Sequence, residues 1–351
     1  MRVADRAVAR NYLKYLNKAQ YKYMETNQRL ASGNRFTKLS DDVSAGSRVL
    51  RSRMDRYKAE KQLENVQEAN SKLQITEDNM MAMNKIIATV HEDKVVRALN
   101  DPTGDEGREI IASEVRSMMA EFLQYANASY GNMFSYGGSN AFTGPFTVDA
   151  DTGKLLYNGV DVDAITKDPT TGVLMYDDAG TPKEVPMDKD IYFDIGLGII
   201  VTGADISLGD DFPDVIGATA FKLSYSGPEV LGWGVDEDGL SNNIYNVMYE
   251  VQKNMADFNR EELEKWNMKL RALLDGFRVN LTDVGVKTNF LDAMEVSLKS
   301  TIDSRTEKIQ DLMGVRDEEE ATNQMMNDYV LKAVLQMGSR VLPLSLMDFV
   351  R

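Results

Sequence analysis

Apolar residues return every three or four positions in both outer thirds of the chain and lose that rhythm in the middle. Ala9, Tyr12, Leu16, Ala19, Tyr23, Thr26 and Leu30 form one such series, and Val66, Ala69, Leu73, Thr76, Met80, Met83, Ile87 and Val90 a second. Ile110, Ile111, Val115, Met119 and Phe122 mark a shorter helix. Beyond the middle, the longest series runs from Leu270 through Leu274, Phe277, Leu281, Val284, Thr288, Leu291, Leu298, Ile302 and Ile309 to Leu312, with Glu295 and Arg305 as charged interruptions. A last one comprises Val330, Val334, Met337, Val341 and Leu344. Sustained spacing near 3.5 predicts helices lying along one another at shallow angles, as in a coiled coil. At 1.5 Å per residue the 270–312 helix would be roughly 64 Å long, which predicts an elongated body.

Two helix starts carry a mechanism. Ser40-Asp41-Asp42 stands before the second helix, where either Asp can accept first-turn amides. Asp317 is followed by Glu318, Glu319 and Glu320, with Glu320 three residues on as in a capping box. Gly314 just before them predicts a break, making 270–312 and 317–342 separate helices.

The middle is rich in helix breakers. Of 8 Pro, six fall between 145 and 228, and of 25 Gly, 17 fall between 131 and 239. Short runs such as GKLLYNGVDV, GVLMYDD and IYFDIGLGIIV, bounded by Gly, Pro and Asp, predict strands with tight turns. Residues 131–240 also hold 19 acidic against 5 basic side chains, so nearly all of the net charge of −15 belongs there. The expected fold is mainly α with an inserted β-rich domain: an elongated antiparallel helical bundle or coiled coil formed by both chain ends, plus a β domain. Its expected parts are 1–40 with 315–351 as a terminal helical pair, 41–130 with 240–314 as a helical rod, and 131–239 as the acidic insert.

Composition narrows the chemistry. Without Cys, thiol catalysis, disulfides and Cys-ligated metals are excluded, and with a single His, His91, so is a two-His metal site within one chain. His91 lies beside Glu92 and Asp93 at the end of a helical series and reads as a helix-end residue. Asp149, Asp151, Asp161, Asp163, Asp177, Asp178, Asp210, Asp211, Asp236 and Asp238 lack the full pattern of a calcium loop and read as turn chemistry plus solubilising charge. Carboxylate-pair hydrolysis is the one enzymatic alternative left, and 19 acids supply such pairs by chance alone. No catalytic, cofactor-binding or metal-binding residue is expected. Trp233, between Gly232 and Gly234, is expected at a domain junction, and the 20 Met mainly in cores.

Residues 1–60 carry 14 Lys/Arg against 6 Asp/Glu, with Arg2, Arg6, Arg10, Lys14, Lys18 and Lys22 in a four-residue step. No nucleic-acid motif accompanies this stripe, which reads as a solvated or subunit-facing face opposite the apolar seam; no nucleic-acid partner is expected. The opening MRVADRAVARNYLKYLNK lacks the apolar core of a secretory signal, and no window approaches a membrane span. Both chain ends belong to the helical part, so the first helices are expected antiparallel to the last. The pair 1–31 and 317–351 has few large seam residues against the entropy of ordering it, so its ends are expected to order as copies pack together. Head-to-tail packing of that kind yields rings or helical filaments.

The stretch Arg29-Leu30-Ala31-Ser32-Gly33-Asn34-Arg35, followed by Ser40-Asp41-Asp42 and Ala45-Gly46, resembles the N-terminal signature of bacterial flagellins and their hook-associated relatives. The stretch from Asp317 through Val334-Leu335-Gln336 to Leu344-Ser345-Leu346-Met347-Asp348-Phe349 is similar to the matching C-terminal end. Gly131-Asn132-Met133-Phe134-Ser135-Tyr136-Gly137-Gly138, with Gly144-Pro145-Phe146, is closer to the hook–filament junction members of that family than to flagellin. The sequence departs from the pattern at Val43, at the charged Arg2, Asp5, Arg6 and Arg10, and at Pro343. The resemblance implies a secreted structural subunit of the flagellum, exported unfolded without a cleaved signal, with a chaperone, and with folding coupled to assembly. It implies as partners copies of itself, a hook-side junction protein and flagellin. Leu16, Ala19, Tyr23, Leu30, Val330, Val334, Met337, Val341, Leu344, Leu346 and Phe349 are the expected assembly interface. Flagellin itself, and an intracellular coiled-coil adaptor, are the alternatives.

Overall fold

The computed structural model describes residues 2–341 except 37, 39, 101–103, 132, 141, 170–171, 179 and 197–219; the side chains of 2–6 and 339–341 also lie outside the description. The chain divides into two compact units, Met1–Lys61 with Leu298–Arg351, and Gln62–Ser297. Its principal helices are α1 (Arg2–Ser32), α2 (Val43–Thr89), α3 (Val95–Leu99), α4 (Gly104–Ala126), α5 (Gly227–Leu231), α6 (Ile244–Ala256), α7 (Arg260–Met313) and α8 (Asp317–Val341).

In the first unit α1 and α8 run antiparallel. Gln324 and Asn327 of α8 bond Asn27 and Thr26 of α1, while Gly338, near the far end of α8, meets Tyr12. The turn leaving α1 docks on the turn between α7 and α8. Gly33 takes φ +65, a conformation that favours glycine after a helix. Its carbonyl accepts from Val315 N at 3.0 Å, and Arg35 N donates to Met313 O at 2.7 Å. Phe36 then buries itself among Ala45, Val49 and Ile309, with Leu312 and Met313 against the same cluster. Asp42, rather than Asp41, caps α2: its Oδ1 accepts from Ala45 N at 2.9 Å.

The break expected at Gly314 is present. The capping box at Asp317 is not: Asp317 is itself the first helical residue, and the buried Glu320 carboxylate faces Arg29 and Asn323. A charged side chain follows its nearest opposite charge in three dimensions, which helical spacing does not reveal.

In the second unit the seam of α2 is buried at every expected position from Val66 to Val90. Against it lie Leu270, Leu274, Phe277, Val284 and Leu291 of α7, all buried. Polar pairs mark the antiparallel register. Gln67 donates to Glu295 at 2.9 Å, Asn70 to Asp292 at 2.7 Å and Arg278 to Asn84 at 3.3 Å. Beyond Thr89 the backbone makes a π-helical turn, Val90–Lys94, before α3. α4 packs on α6, burying Ile111, Val115, Met119 and Phe122 with Val247, Met248, Val251 and Met255, whereas Ile110 points outward.

Among the described residues four small antiparallel sheets occupy the middle: β1 (Ser129–Tyr130) with β2 (Met133–Phe134); β3 (Phe146–Val148), β4 (Leu155–Tyr157) and β5 (Val160–Asp161); β6 (Ile165–Lys167), β7 (Leu174–Asp178) and β8 (Thr181–Glu184); and β9 (Tyr192–Phe193) with β10 (Phe221–Lys222). Asn158 and Gly159, at φ 49 and 86, supply the turn between β4 and β5, the pair that this kind of hairpin favours. The sheets are tied to the helices. Leu155 N donates to Asn246 Oδ1 at 2.8 Å, and the Tyr136 hydroxyl donates to Thr76 O at 3.1 Å. Asp163 accepts from Lys154 at 2.8 Å, Ser241 at 2.5 Å and Asn246 at 3.0 Å.

Candidate assembly surface

The α1–α8 pair has a polar end and an apolar end. Beside the turn, Asn327 Nδ2 donates to Thr26 Oγ1 at 3.0 Å and Gln324 Nε2 donates to Asn27 Oδ1 at 2.5 Å. Closer still to the turn, Arg29 Nη1 stands 3.7 Å from Glu320 Oε1. Towards the start of α1 the contacts become apolar. Leu16 and Tyr23 are half-buried, Ala19 is buried, and the Tyr12 ring lies so close to Gly338 that a Cβ there would overlap its hydroxyl. Between the helices opens a groove of about 480 Å³, walled by Val8, Tyr12, Tyr15, Ala19, Val334 and Met337, with Lys18 and Lys22 also lining it.

Two helices cannot cover each other's apolar surface all round, and this pair leaves large side chains in water. Tyr15 is 65% exposed, Tyr329 75% and Met337 60%, and Leu13, Met325 and Met326 also face outward. In a monomer contiguous apolar exposure marks an interaction surface, and the groove brings exposed Tyr15 and Met337 together. Arg10, Lys14, Lys18 and Lys22 are exposed, as the four-residue step predicts, but Lys18 and Lys22 border the groove rather than stand opposite it. On α8, Asp328 pairs with Lys332 at 2.6 Å and holds that ammonium above its usual pKa.

The residues expected at the interface separate into three groups. Leu16, Ala19, Tyr23, Leu30 and Val334 are buried or half-buried within the unit. Val330 and Met337 line the groove yet stay exposed, because the row of α8 in direct contact with α1 includes Glu320, Gln324, Asn327 and Gly338. That row is polar in its first half, so a search for apolar spacing passes over it. Val341 ends α8 with its side chain outside the described residues, where Leu344, Leu346 and Phe349 also lie.

The signature residues shape the turn. Arg29 pairs with Glu25 at 2.7 Å, the Ser32 hydroxyl accepts from Asn34 N at 3.3 Å, and Gly33 supplies the left-handed backbone. Arg35 pairs with Asp42 at 2.8 Å, Asp41 accepts from Lys38 N at 3.2 Å, and the Ser40 hydroxyl lies 3.5 Å from Asp41. Leu30 is half-buried beside them.

Elsewhere the acidic side chains act as turn caps. Asp149 accepts from Asp151 N and Thr152, Asp161 from Asp163 N, and Asp236 from Asp238 N and Leu240 N. Asp210 and Asp211 lie outside the described residues. Among the described residues no group of three His, Asp or Glu is placed to hold a metal ion, and no helix is long and apolar enough to cross a membrane. His91 sits in the π-helical turn, its Nδ1 2.8 Å from Asn267 Oδ1. Trp233 is half-exposed with Lys167 over its ring, while the methionines divide between buried Met80, Met83 and Met119 and exposed Met325 and Met326.

Paired terminal helices, long antiparallel seams and a small β-rich middle define a helical protein with an open apolar surface at its paired ends. Residues 3–147 match the family described as the bacterial flagellin N-terminal helical region. The fold is that of a Vibrio parahaemolyticus protein described as a flagellar hook-associated protein, which is 14% identical, covers 78% of this chain and all of its own, and superposes with a TM-score of 0.56. FlgL of Bacillus cereus is 16% identical, covering 73% of this chain and 96% of its own at a TM-score of 0.46. The flagellar junction protein FlgL of Legionella pneumophila is also 16% identical, covering 76% and 100% at 0.46; at that level neither adds to the fold assignment. None of the curated proteins matches the chain.

Proposed function

We propose that this chain is a non-enzymatic structural subunit of the bacterial flagellar axis, seated where hook meets filament. The observation that carries the reading is the α1–α8 groove with its exposed aromatic and methionine side chains. Burying such surface contributes about 25 cal/mol per Å² of apolar area, so repeated copies gain what one pair of helices leaves in water. Leu16, Ala19, Tyr23, Leu30, Val330, Val334, Met337, Val341, Leu344, Leu346 and Phe349 form the proposed interface, with folding of the ends coupled to assembly.

In this reading residues 1–40 with 315–351 make the inner layer, 41–130 with 240–314 the surrounding helical shell, and 131–239 the outward part. The subunit acts outside the cell, exported with a chaperone. Its partners are copies of itself, the hook-side junction protein and flagellin. The placement at the junction is supported by the family match over 3–147, by the fold shared with the Vibrio protein described as hook-associated, and by the segment 131–146.

Electron microscopy of purified full-length protein under precipitant tests the placement: a junction subunit stops at short layers, whereas long filaments from this protein alone make it a flagellin. Deleting 335–351 should leave a soluble, partly folded chain that no longer enters assemblies. Assembly of the truncated chain at the level of the full one would sink the role given to the ends.

A further inference from the structure

Glu320 is a carboxylate in an unusual position. It is 7% exposed, and its Oε1 is buried without a hydrogen-bond partner among the described residues. Oε2 accepts from Asn323 Nδ2 at 3.2 Å. The cation beside it is Arg29, whose Nη1 stops 3.7 Å short of Oε1, too far for a hydrogen bond. Arg29 is held back on its own helix, where Nη2 donates to Glu25 Oε1 at 2.7 Å. One guanidinium thus commits Nη2 to a half-exposed partner on its own helix and leaves Nη1 short of a buried partner on α8.

The energetics of the two contacts differ. A pair four residues apart on a half-exposed helix face contributes little. A buried carboxylate oxygen without a donor costs more, and a charge-assisted bond to it returns more. What opposes the exchange is geometry, since Arg29 must close on Glu320 by roughly 1 Å before it reaches the 2.7–2.9 Å of a charge-assisted bond.

We propose that Arg29 is the catch of the α1–α8 pair: bonded to Glu25 in the lone subunit, it transfers to Glu320 when neighbouring copies press α8 onto α1. The consequence of assembly rests on the reading of the chain as an axial subunit; the competition between Glu25 and Glu320 does not. Thr26 with Asn327 and Asn27 with Gln324 fix the register within which the transfer occurs, as polar pairs in a helical seam do. The lone subunit therefore holds α8 loosely, and the assembled one holds it firmly.

The test is amide hydrogen exchange along α8 in the full-length chain, as monomer, for wild type, Glu25→Ala, Glu320→Gln and the double variant. Glu25 is exposed enough to be replaced without disturbing packing, and alanine favours the helix. Freeing Arg29 from Glu25 should slow exchange of the amides of 321–327 roughly tenfold, the equivalent of one charge-assisted bond. The double variant should lose that gain. Unchanged exchange in Glu25→Ala, or a gain that survives Glu320→Gln, overturns the proposal. Because these readings use monomer, they stand apart from assembly: a wild-type chain that never assembles with itself or with flagellar partners overturns the axial reading and leaves the exchange result to decide the catch.

Discussion

The contact between Tyr12 and Gly338 makes a prediction whose sign depends on the background in which it is measured. Gly338 lies inside α8, where glycine costs about 1 kcal/mol relative to alanine. Replacing it with alanine should therefore stabilise an isolated helix. In this protein the added Cβ would overlap the hydroxyl of Tyr12 and lie 2.5 Å from its Cζ, forcing the ring out of its seat. Overpacking of that kind costs about 1–3 kcal/mol. Gly338→Ala should thus leave the α1–α8 pair between neutral and about 2 kcal/mol weaker, the crowding offset by the helical gain. In a Tyr12→Ala background the crowding is gone, and the same change should strengthen α8 by about 1 kcal/mol.

A double-mutant cycle isolates the coupling, expected at about 1–3 kcal/mol. Hydrogen exchange along α8 in the full-length chain reads it locally, where global unfolding averages over two units. An equal effect of Gly338→Ala in both backgrounds would show that Tyr12 does not rest on α8 at this position, and the groove built on that contact would go with it.

Two stability predictions concern single residues. Lys72 is buried, and burial lowers its pKa below 10.5, so its charge penalises the folded state fully below the folded pKa and not at all well above the unfolded value. Lys72→Met should raise Tm at neutral pH, with the advantage shrinking as pH approaches 10.5; a lower Tm at neutral pH would show that the ammonium has a compensating partner. Asp42→Ala removes the α2 cap and the pair with Arg35, and should cost about 1 kcal/mol, read as a lower thermal midpoint, whereas Asp41→Ala should cost less. Equal losses at the two positions would mean that the cap is shared.

Helical periodicity sufficed for the parts in which apolar side chains face apolar side chains. The series from Val66 to Val90 is buried throughout, as is most of the series beginning at Leu270, because both seams repeat long enough for a single period to dominate. The break at Gly314, the strands at 155–157 and 174–178, and an Asp at the start of α2 were equally readable, since each depends on backbone preferences within a few residues. Which Asp caps was not, because both stand at suitable positions and Lys38 N claims one of them. The short helix α6 lies outside the long apolar series, although Val247, Met248, Val251 and Met255 are fully buried in it.

What only the tertiary structure decided is which face each periodic element turns to which neighbour. Val330 and Met337 keep perfect spacing and line the groove yet remain exposed, because α1 touches the adjacent row of α8 through Gln324, Asn327 and Gly338. Glu320 and Lys72 are charged residues inside, a placement set by contacts distant in the chain. Periodicity is a property of one segment and states that a face will be covered. The identity of the cover depends on long-range packing, where a tyrosine can seat against a glycine and an arginine can choose between two acids.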